Sequence, residues 1–351
     1  MTAGTPLSEE TEMPPTVLPA EWEPHQRTVM GWPTRTRVDQ LWHGELDAAR
    51  AVHATVATAI GRFEPVLVVA DPNDVDDAHR RCGAGVEVWG VAIDDSWLRD
   101  SGPITVRSAA GERAGITFGF NAWGSAFTPF DQDRLIAGRV LEHLGIERID
   151  ATEFVLEGGS IAVDGAGLLV TTERCLLNPN RNPSMSRGDI EDRLRHHFGA
   201  ERIVWLADGI AEDEGTDGHI DNVAGFVAPN RLVLQGCELT DNPNHANAAD
   251  NRRRLEAAGI DVVEITSLPY ANVAGDTVPV PYGNFYVCNG AVMVPTVDGG
   301  EARWLDLIGE QFGDREVVPL PGEVLAYGGG GVHCITQQVI GVTGTGGGVT
   351  S

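Results

Sequence analysis

The chain has 351 residues, 42% of them hydrophobic, with 51 Asp and Glu against 25 basic residues and a formal charge of -26. An acidic field of that size repels phosphate backbones and anionic lipid, which excludes nucleic-acid and membrane-surface binding; it would gather a small cationic substrate, although solubility alone also accounts for it. No apolar run of about 18 residues occurs and the start lacks a secretory pattern, so the expected location is cytoplasmic.

Residues 1–15 read as a flexible N-terminus to a single catalytic domain over 16–345, because no Pro/Gly/Ser-rich linker divides that stretch. Helical periodicity at 39–62 precedes two strands, VLVVAD (66–71) and VEVWGVAID (86–94). The strand AGITFGF (114–120) leads to a helix over 131–144, with Pro129 suited to its first turn. The segment 153–172, EFVLEGGSIAVDGAGLLVTT, reads as a hairpin turning at Asp164-Gly165. Ser186 and Asp189 form a capping-box variant ahead of a helix at 187–198. ERIVWLAD (201–208) is a strand, and 219–236 is a second hairpin turning near Pro229-Asn230. A helix at 244–258, strands at 262–266 and 284–290, a helix at 301–312 and a strand at 315–320 follow. The Gly-rich end reads as frayed. Strand pairs and single helices thus recur along an α/β chain, without a GxGxxG after the first strand and without a phosphate loop.

Five cysteines at wide spacings, with no CxxC pair, form neither a disulfide framework nor a zinc motif. Cys334 follows four glycines in YGGGGVHCITQQ, a loop suited to delivering a nucleophile; an inert buried thiol is the alternative. His219 and Asp221, in GTDGHIDN, would share one face at the head of a strand, either as a site or as a surface pair. Glu157 ends an apolar run before two glycines and needs a partner if buried. Asp94, Asp95, Arg99 and Asp100 lie in DDSWLRDSGP, where Arg99 would pair with Asp100 or another nearby acid. His333 and Cys334 are adjacent, so on a strand they would face opposite ways, and scattered single ligands do not make a metal site. One thiol, one histidine and several carboxylates suit a planar cation, because guanidinium offers five donors in a fixed fork that carboxylates accept.

The strings MGWPTR, DDSWLRDSGP, GFNAWG, LEGGSIAVDGAGLLVTTERCLLNPNRNP, GHIDN, NFYVCNG and GGGGVHCITQQ resemble the agmatine deiminases, which share a superfamily with bacterial peptidylarginine deiminases. The likeness runs from about residue 16 to about 340. It implies the pentein fold, a five-fold pseudo-symmetric α/β propeller of ββαβ modules, with no cofactor, no metal and a homodimer or larger assembly. It implies hydrolysis of agmatine to N-carbamoylputrescine and ammonia, a step of putrescine metabolism, through a covalent thiouronium. Arginine or peptidylarginine deimination, and amidino transfer, are the alternatives on the same scaffold. The resemblance assigns Cys334 as nucleophile, His219 as general acid and base, Asp95 and Asp221 as guanidinium-binding acids, and Glu157 as the acid of EGG. Asp94 is the weaker candidate, because family members vary there. Trp32 and Trp123 are expected to line the pocket or to pack in the core. Gly331, where family members often carry Asn, is expected to shape the part of the pocket that reads the far end of the substrate.

Overall fold

The structure, a computed structural model, describes residues 16–108 and 110–342. The expectations for residues 1–15 and most of the Gly-rich end therefore lie outside the described residues.

One unit recurs five times: two antiparallel strands, a helix, and a third strand parallel to the second. The first is Ile104–Ser108, Arg113–Gly119, helix Asp133–Leu144 and Glu147–Val155. The second is Ile161–Val163, Leu168–Thr172, helix Arg187–Phe198 and Arg202–Leu206. The third is Ala224–Ala228, Arg231–Gln235, helix Pro243–Ala257 and Asp261–Ile265. The fourth is Tyr286–Cys288, Ala291–Thr296, helix Ala302–Phe312 and Glu316–Pro321. The fifth is assembled from both ends of the chain. Thr336–Ile340 pairs antiparallel with His25–Gly31, helix Leu46–Ile60 crosses over, and Val66–Ala70 returns parallel, with Glu87–Gly90 beside it. A hairpin of Tyr270–Val273 and Asp276–Pro279 stands apart from the five sheets. A cavity of about 70 Å³ is lined by Thr105, Ala162, Gly225, Phe285 and Gln337, residues of or beside the first strand of each unit. The five sheets therefore meet around one axis.

Local chemistry explains the units. The middle strands are covered on both faces by helices and neighbouring units, so they read as unbroken apolar runs. All five residues of Val66–Ala70 are buried, and each buried Val or Leu contributes about 1.5–3 kcal/mol. Helix Leu46–Ile60 buries Ala49, Val52, His53, Val56, Ala57 and Ile60, one stripe at helical spacing. Helix Arg187–Phe198 starts on the expected capping box: Asp189 N donates to Ser186 Oγ at 3.3 Å and Ser186 N to Asp189 Oδ2 at 2.8 Å.

Four expectations change in detail. The helix read at 39–62 begins only at Leu46, because His43 (φ 38) and Gly44 (φ 100) take left-handed backbone and end a short wide turn, Val38–Trp42. Pro129 does not start a helix. Its carbonyl accepts from Arg37 Nη2 at 2.7 Å in a loop, and the helix begins at Asp133. In the first hairpin, residues 153–155 belong to the preceding unit, and a four-residue turn, 164–167, joins Ile161–Val163 to Leu168–Thr172. Asp164 Oδ1 holds that turn by accepting from Ala166 N and Leu168 N at 2.8 and 2.9 Å. The second hairpin turns at Pro229-Asn230 but starts at Ala224, not at His219.

Candidate active site

Cys334 lies in a turn just ahead of the strand Thr336–Ile340, and its neighbours are set by glycine. A Cβ on Gly330 would meet Trp97 and the Cys334 sulfur, and a Cβ on Gly331 would overlap Asn284 Oδ1. Asn284 therefore fits against the loop and donates from Nδ2 to Cys334 Sγ at 3.1 Å. The same amide donates to Asp221 O and Asn222 Oδ1, while Asn284 Oδ1 accepts from His333 N at 3.0 Å. Burial and the charges of Asp221 and Asp100 push the Cys334 thiol well above its ordinary pKa; the Gly331 N–H and Asn284 oppose them. The resting sulfur is a thiol that an arriving cation would help ionise.

His219 and Asp221 are brought together, though by a different device from the expected strand. His219 precedes a tight helical turn, Ile220–Asn222, and Asp221 lies within it. Asp213 fixes the approach: its Oδ2 accepts from His219 N at 3.2 Å and from Asn222 Nδ2 at 3.2 Å. A Cβ on Gly159 would fall 2.6 Å from His219 Nδ1, 2.9 Å from Asp100 Oδ1 and 2.9 Å from Asp221 Oδ2. Only glycine lets the backbone enter among these three groups, which gives the EGG string its physical meaning. Cys334 Sγ is 3.4 Å from Asp221 Oδ2, and Asp221 Oδ1 is buried without a hydrogen-bond partner.

The second carboxylate of this cluster is Asp100, which the sequence reading left as a partner for Arg99. Its Oδ1 accepts from Gly159 N and its Oδ2 from Trp123 Nε1, each at 2.9 Å. Its Oδ2 also lies 3.8 Å from His219 Nδ1. Burial raises the Asp100 pKa to about 6, with His219 opposing and Asp221 and Glu157 adding to it. Burial alone would lower the His219 pKa, but Asp100, Cys175 and Asp221 carry it well above the ordinary value. Glu157 sits behind the imidazole: Oε2 is 4.0 Å from His219 Nε2, and Oε1 accepts from Arg181 Nε at 2.7 Å.

Asp95 does not join this group. It is buried, and its Oδ2 accepts from Arg37 Nε at 2.8 Å while Oδ1 takes its neighbour's Ser96 N. Asp94 Oδ2 accepts from Gln132 N at 2.7 Å, so both acids hold the loop before helix Asp133–Leu144. Arg99 turns away from Asp100. It donates to Gln338 Oε1 at 2.8 Å and lies 3.3 Å from Glu21 Oε2. Arg181 is spent on Glu157, Asp217, Asn180 and the Thr216 carbonyl. Trp32 is 1% exposed within the largest apolar cluster and does not reach the cavity. Trp123 does line the cavity. It rides on left-handed backbone at Ala122, Trp123 and Ser125 (φ 53, 55 and 67), a turn closed by Gly124 N donating to Asn121 Oδ1 at 2.8 Å. Gly331 is not on the cavity wall; it makes room for Asn284 instead.

A cavity of about 610 Å³ opens over Cys334 and Asp100 between Trp97, Trp123, Phe127 and Tyr327. Glu212, Asp213, Glu214 and Asp276 also line it. Glu212 and Asp213 are committed to Asn244, Tyr270, Thr216 and Asn222. Glu214 and Asp276 have no side-chain partner among the described residues. All 25 basic residues of the chain are arginines, and none lines this cavity among the described residues. The side chains of Glu157, Cys175 and His219 have donor atoms within 4.8 Å of one another. The Arg181 guanidinium against Glu157 disfavours a cation there.

A family model of Porphyromonas-type peptidyl-arginine deiminases matches residues 17–339. The agmatine deiminase of Pseudomonas putida strain F1 is 38% identical over 356 residues, covering 92% of this chain and 94% of that protein. A solved agmatine deiminase of Enterococcus faecalis superposes with a TM-score of 0.86 at 32% identity, covering 92% of this chain and 95% of that one. DDAH from Pseudomonas aeruginosa, at 15% identity and a TM-score of 0.51 over 90% of this chain and 99% of that one, shares the fold alone.

Proposed function

The chain belongs to the Porphyromonas-type peptidyl-arginine deiminase family, and from that premise we propose that it is an agmatine deiminase of pentein fold that works through Cys334. The observation that carries the reading is the meeting of Cys334 Sγ, the free oxygen of Asp221, Asp100 and His219 beneath a cavity walled by acids. Asp100 and Asp221 take the guanidinium nitrogens, in charged hydrogen bonds of about 1.5–3 kcal/mol each. As the cation binds, the Cys334 thiol gives up its proton to solvent; the thiolate attacks the central carbon, and His219 protonates the departing ammonia. A water deprotonated by His219 then attacks the thiouronium carbon, the C–S bond breaks, and the ureido product leaves. Glu157 orients the imidazole from behind and Arg181 holds Glu157 in turn. The overall balance is agmatine plus water giving N-carbamoylputrescine plus ammonia.

Agmatine is cationic at both ends. Glu214 and Asp276 on the cavity wall suit its amine, whereas the α-carboxylate of arginine would meet acids and, among the described residues, no arginine. We include in the proposal a single catalytic domain over 16–345, a cytoplasmic location, and a homodimer or larger assembly, which light scattering would measure. The test of the activity offers agmatine, free arginine and an arginine peptide to the pure protein and measures ureido product, with Cys334→Ser alongside. Agmatine should be turned over first by at least two orders of magnitude in kcat/KM. Preference for arginine or the peptide would overturn the substrate, and an active Cys334→Ser would overturn the chemistry.

A further inference from the structure

His333 stands immediately before the nucleophile and makes two hydrogen bonds that fix its charge. Its Nδ1 is 2.9 Å from Asp221 Oδ2 and its Nε2 is 2.9 Å from Glu21 Oε2. An ionised carboxylate only accepts, so each ring nitrogen must carry a proton. Burial and Arg99 oppose that charge, Glu21 and Asp221 favour it, and the balance raises the His333 pKa. Glu21 is itself anchored, since its Oε1 accepts from Val287 N at 2.8 Å and its Oε2 lies 3.3 Å from Arg99 Nη2. Burial would raise the Glu21 pKa, but His333, Arg99 and the Val287 N–H bring it to about 2. Burial likewise would raise Asp221, and the hydrogen bond and charge of His333 outweigh it, so Asp221 is lowered. Two further ionisable groups adjoin it: Tyr286, whose ring centroid is 6.4 Å from the imidazole, and Cys334, the next residue, whose sulfur also reaches Asp221 Oδ2.

We propose that His333 is a positioning residue of the reaction: an imidazolium clamped between Glu21 and Asp221 that holds Asp221 Oδ2 and keeps this acid ionised, leaving Oδ1 to take the guanidinium. The proposal rests on the deiminase reading above. Asp221 and Glu157 lie close enough to Asp100 to raise its pKa, so negative charge is crowded here, and without a fixed cation it would be relieved by uptake of a proton. A protonated Asp221 would meet the substrate with one charge fewer. His333 supplies that cation from the side away from the substrate, where it also lines the small axial cavity with Glu21 and Arg99.

The experiment compares wild type, His333→Gln and Glu21→Gln on agmatine from pH 5 to 10, with melting temperatures recorded at each pH. Wild type inactive on every guanidine tested would sink the deiminase reading, and the ring-nitrogen measurement below would still decide the charge of His333. With wild type active, His333→Gln should lower kcat/KM about tenfold to a hundredfold, and its acid limb should move up by at least one pH unit as the Asp221 pKa rises. Glu21→Gln keeps the Asp221 bond but removes one of the charges that hold His333 protonated. It should introduce an alkaline limb that wild type lacks at that pH. Nitrogen-15 spectra of the wild type should show both ring nitrogens of His333 protonated at pH 8. A His333→Gln profile of wild-type shape, or a neutral imidazole at pH 8, would overturn the proposal. If His333→Gln does not fold, the Glu21→Gln profile and the wild-type spectrum decide it.

Discussion

Exchanging Asp100 and Asp95 separately for Asn distinguishes a substrate-binding acid from a structural one. Asp100→Asn keeps the volume and removes one charge from beneath the guanidinium. Losing one charged hydrogen bond costs about 1.5–3 kcal/mol, or roughly ten- to a hundredfold in kcat/KM. A second cost follows from the geometry. Asp100 accepts two N–H groups on opposite oxygens, from Gly159 and Trp123. The Asn amide turns an NH₂ toward one of them, leaving a buried donor unpaired at about 1–3 kcal/mol. The expected loss in kcat/KM is therefore about two orders of magnitude or more. Asp100 is also the largest influence raising the His219 pKa, so any limb due to His219 should move to lower pH. Asp95→Asn should behave differently. It leaves Arg37, fully buried, without its closest acid. Breaking a buried pair costs about 3–5 kcal/mol, but Asp133, 3.8 Å from Arg37, is held protonated partly by Asp95 and would ionise in its place. A drop of several degrees in melting temperature with kcat/KM within about threefold of wild type is the expected outcome. Product assays at limiting agmatine, beside thermal melts, measure both. An inactive Asp95→Asn that melts normally, with Asp100→Asn near wild type, would refute the placement of the two acids.

Burial and the charges of Asp95 and Asp94 raise the Asp133 pKa from 3.8 to about 8. A raised carboxyl pKa gives stability that is complete below about 3.8 and is lost as pH climbs to about 8. Asp133→Asn mimics the protonated acid, so its melting temperature should fall less across that window and exceed that of wild type at pH 8. Gly331→Ala should displace Asn284 from Cys334 and lower kcat at least tenfold while KM for agmatine changes little; steady-state kinetics would reveal the split. All five cysteines are free and buried, yet of these only Cys334 lines the cavity among the described residues. Iodoacetamide should therefore inactivate with one label per chain, on Cys334 by peptide mapping, and a chelator should leave activity unchanged.

The recurring strand pairs and single helices were legible because they rest on local signals, such as the buried strand Val66–Ala70, the Pro229-Asn230 turn and the Ser186 cap; the five-fold repeat came from the family resemblance, and the fifth unit, built from both ends of the chain, leaves no local signal. Cys334, His219, Asp221 and Glu157 were legible because glycines flank or face them, and glycine marks close approach of backbone. Asp95 and Asp100 both lie in DDSWLRDSGP, and spacing does not say which acid a turn aims toward the thiol. The short helical turn Leu98–Ser101 sends Arg99 toward Glu21 and Asp100 toward Gly159. His333 was set aside on the assumption of a strand at 333–334; both residues lie in the turn before it, and both reach Asp221 Oδ2. Asn284 lay within the quoted string NFYVCNG but without an assigned role, and Glu21 lay outside every quoted string, since their roles depend on contacts 50 and 312 positions away along the chain.

The strand that follows Cys334 pairs with the one that begins at His25, so the fifth sheet is completed only once the chain has been made through Ile340. A nascent chain that has emitted four units has its histidine and its acids but no reactive sulfur near them. Catalytic competence thus arrives in one event, with the docking of the final strand, and recovery of turnover after denaturation becomes a clock for that event.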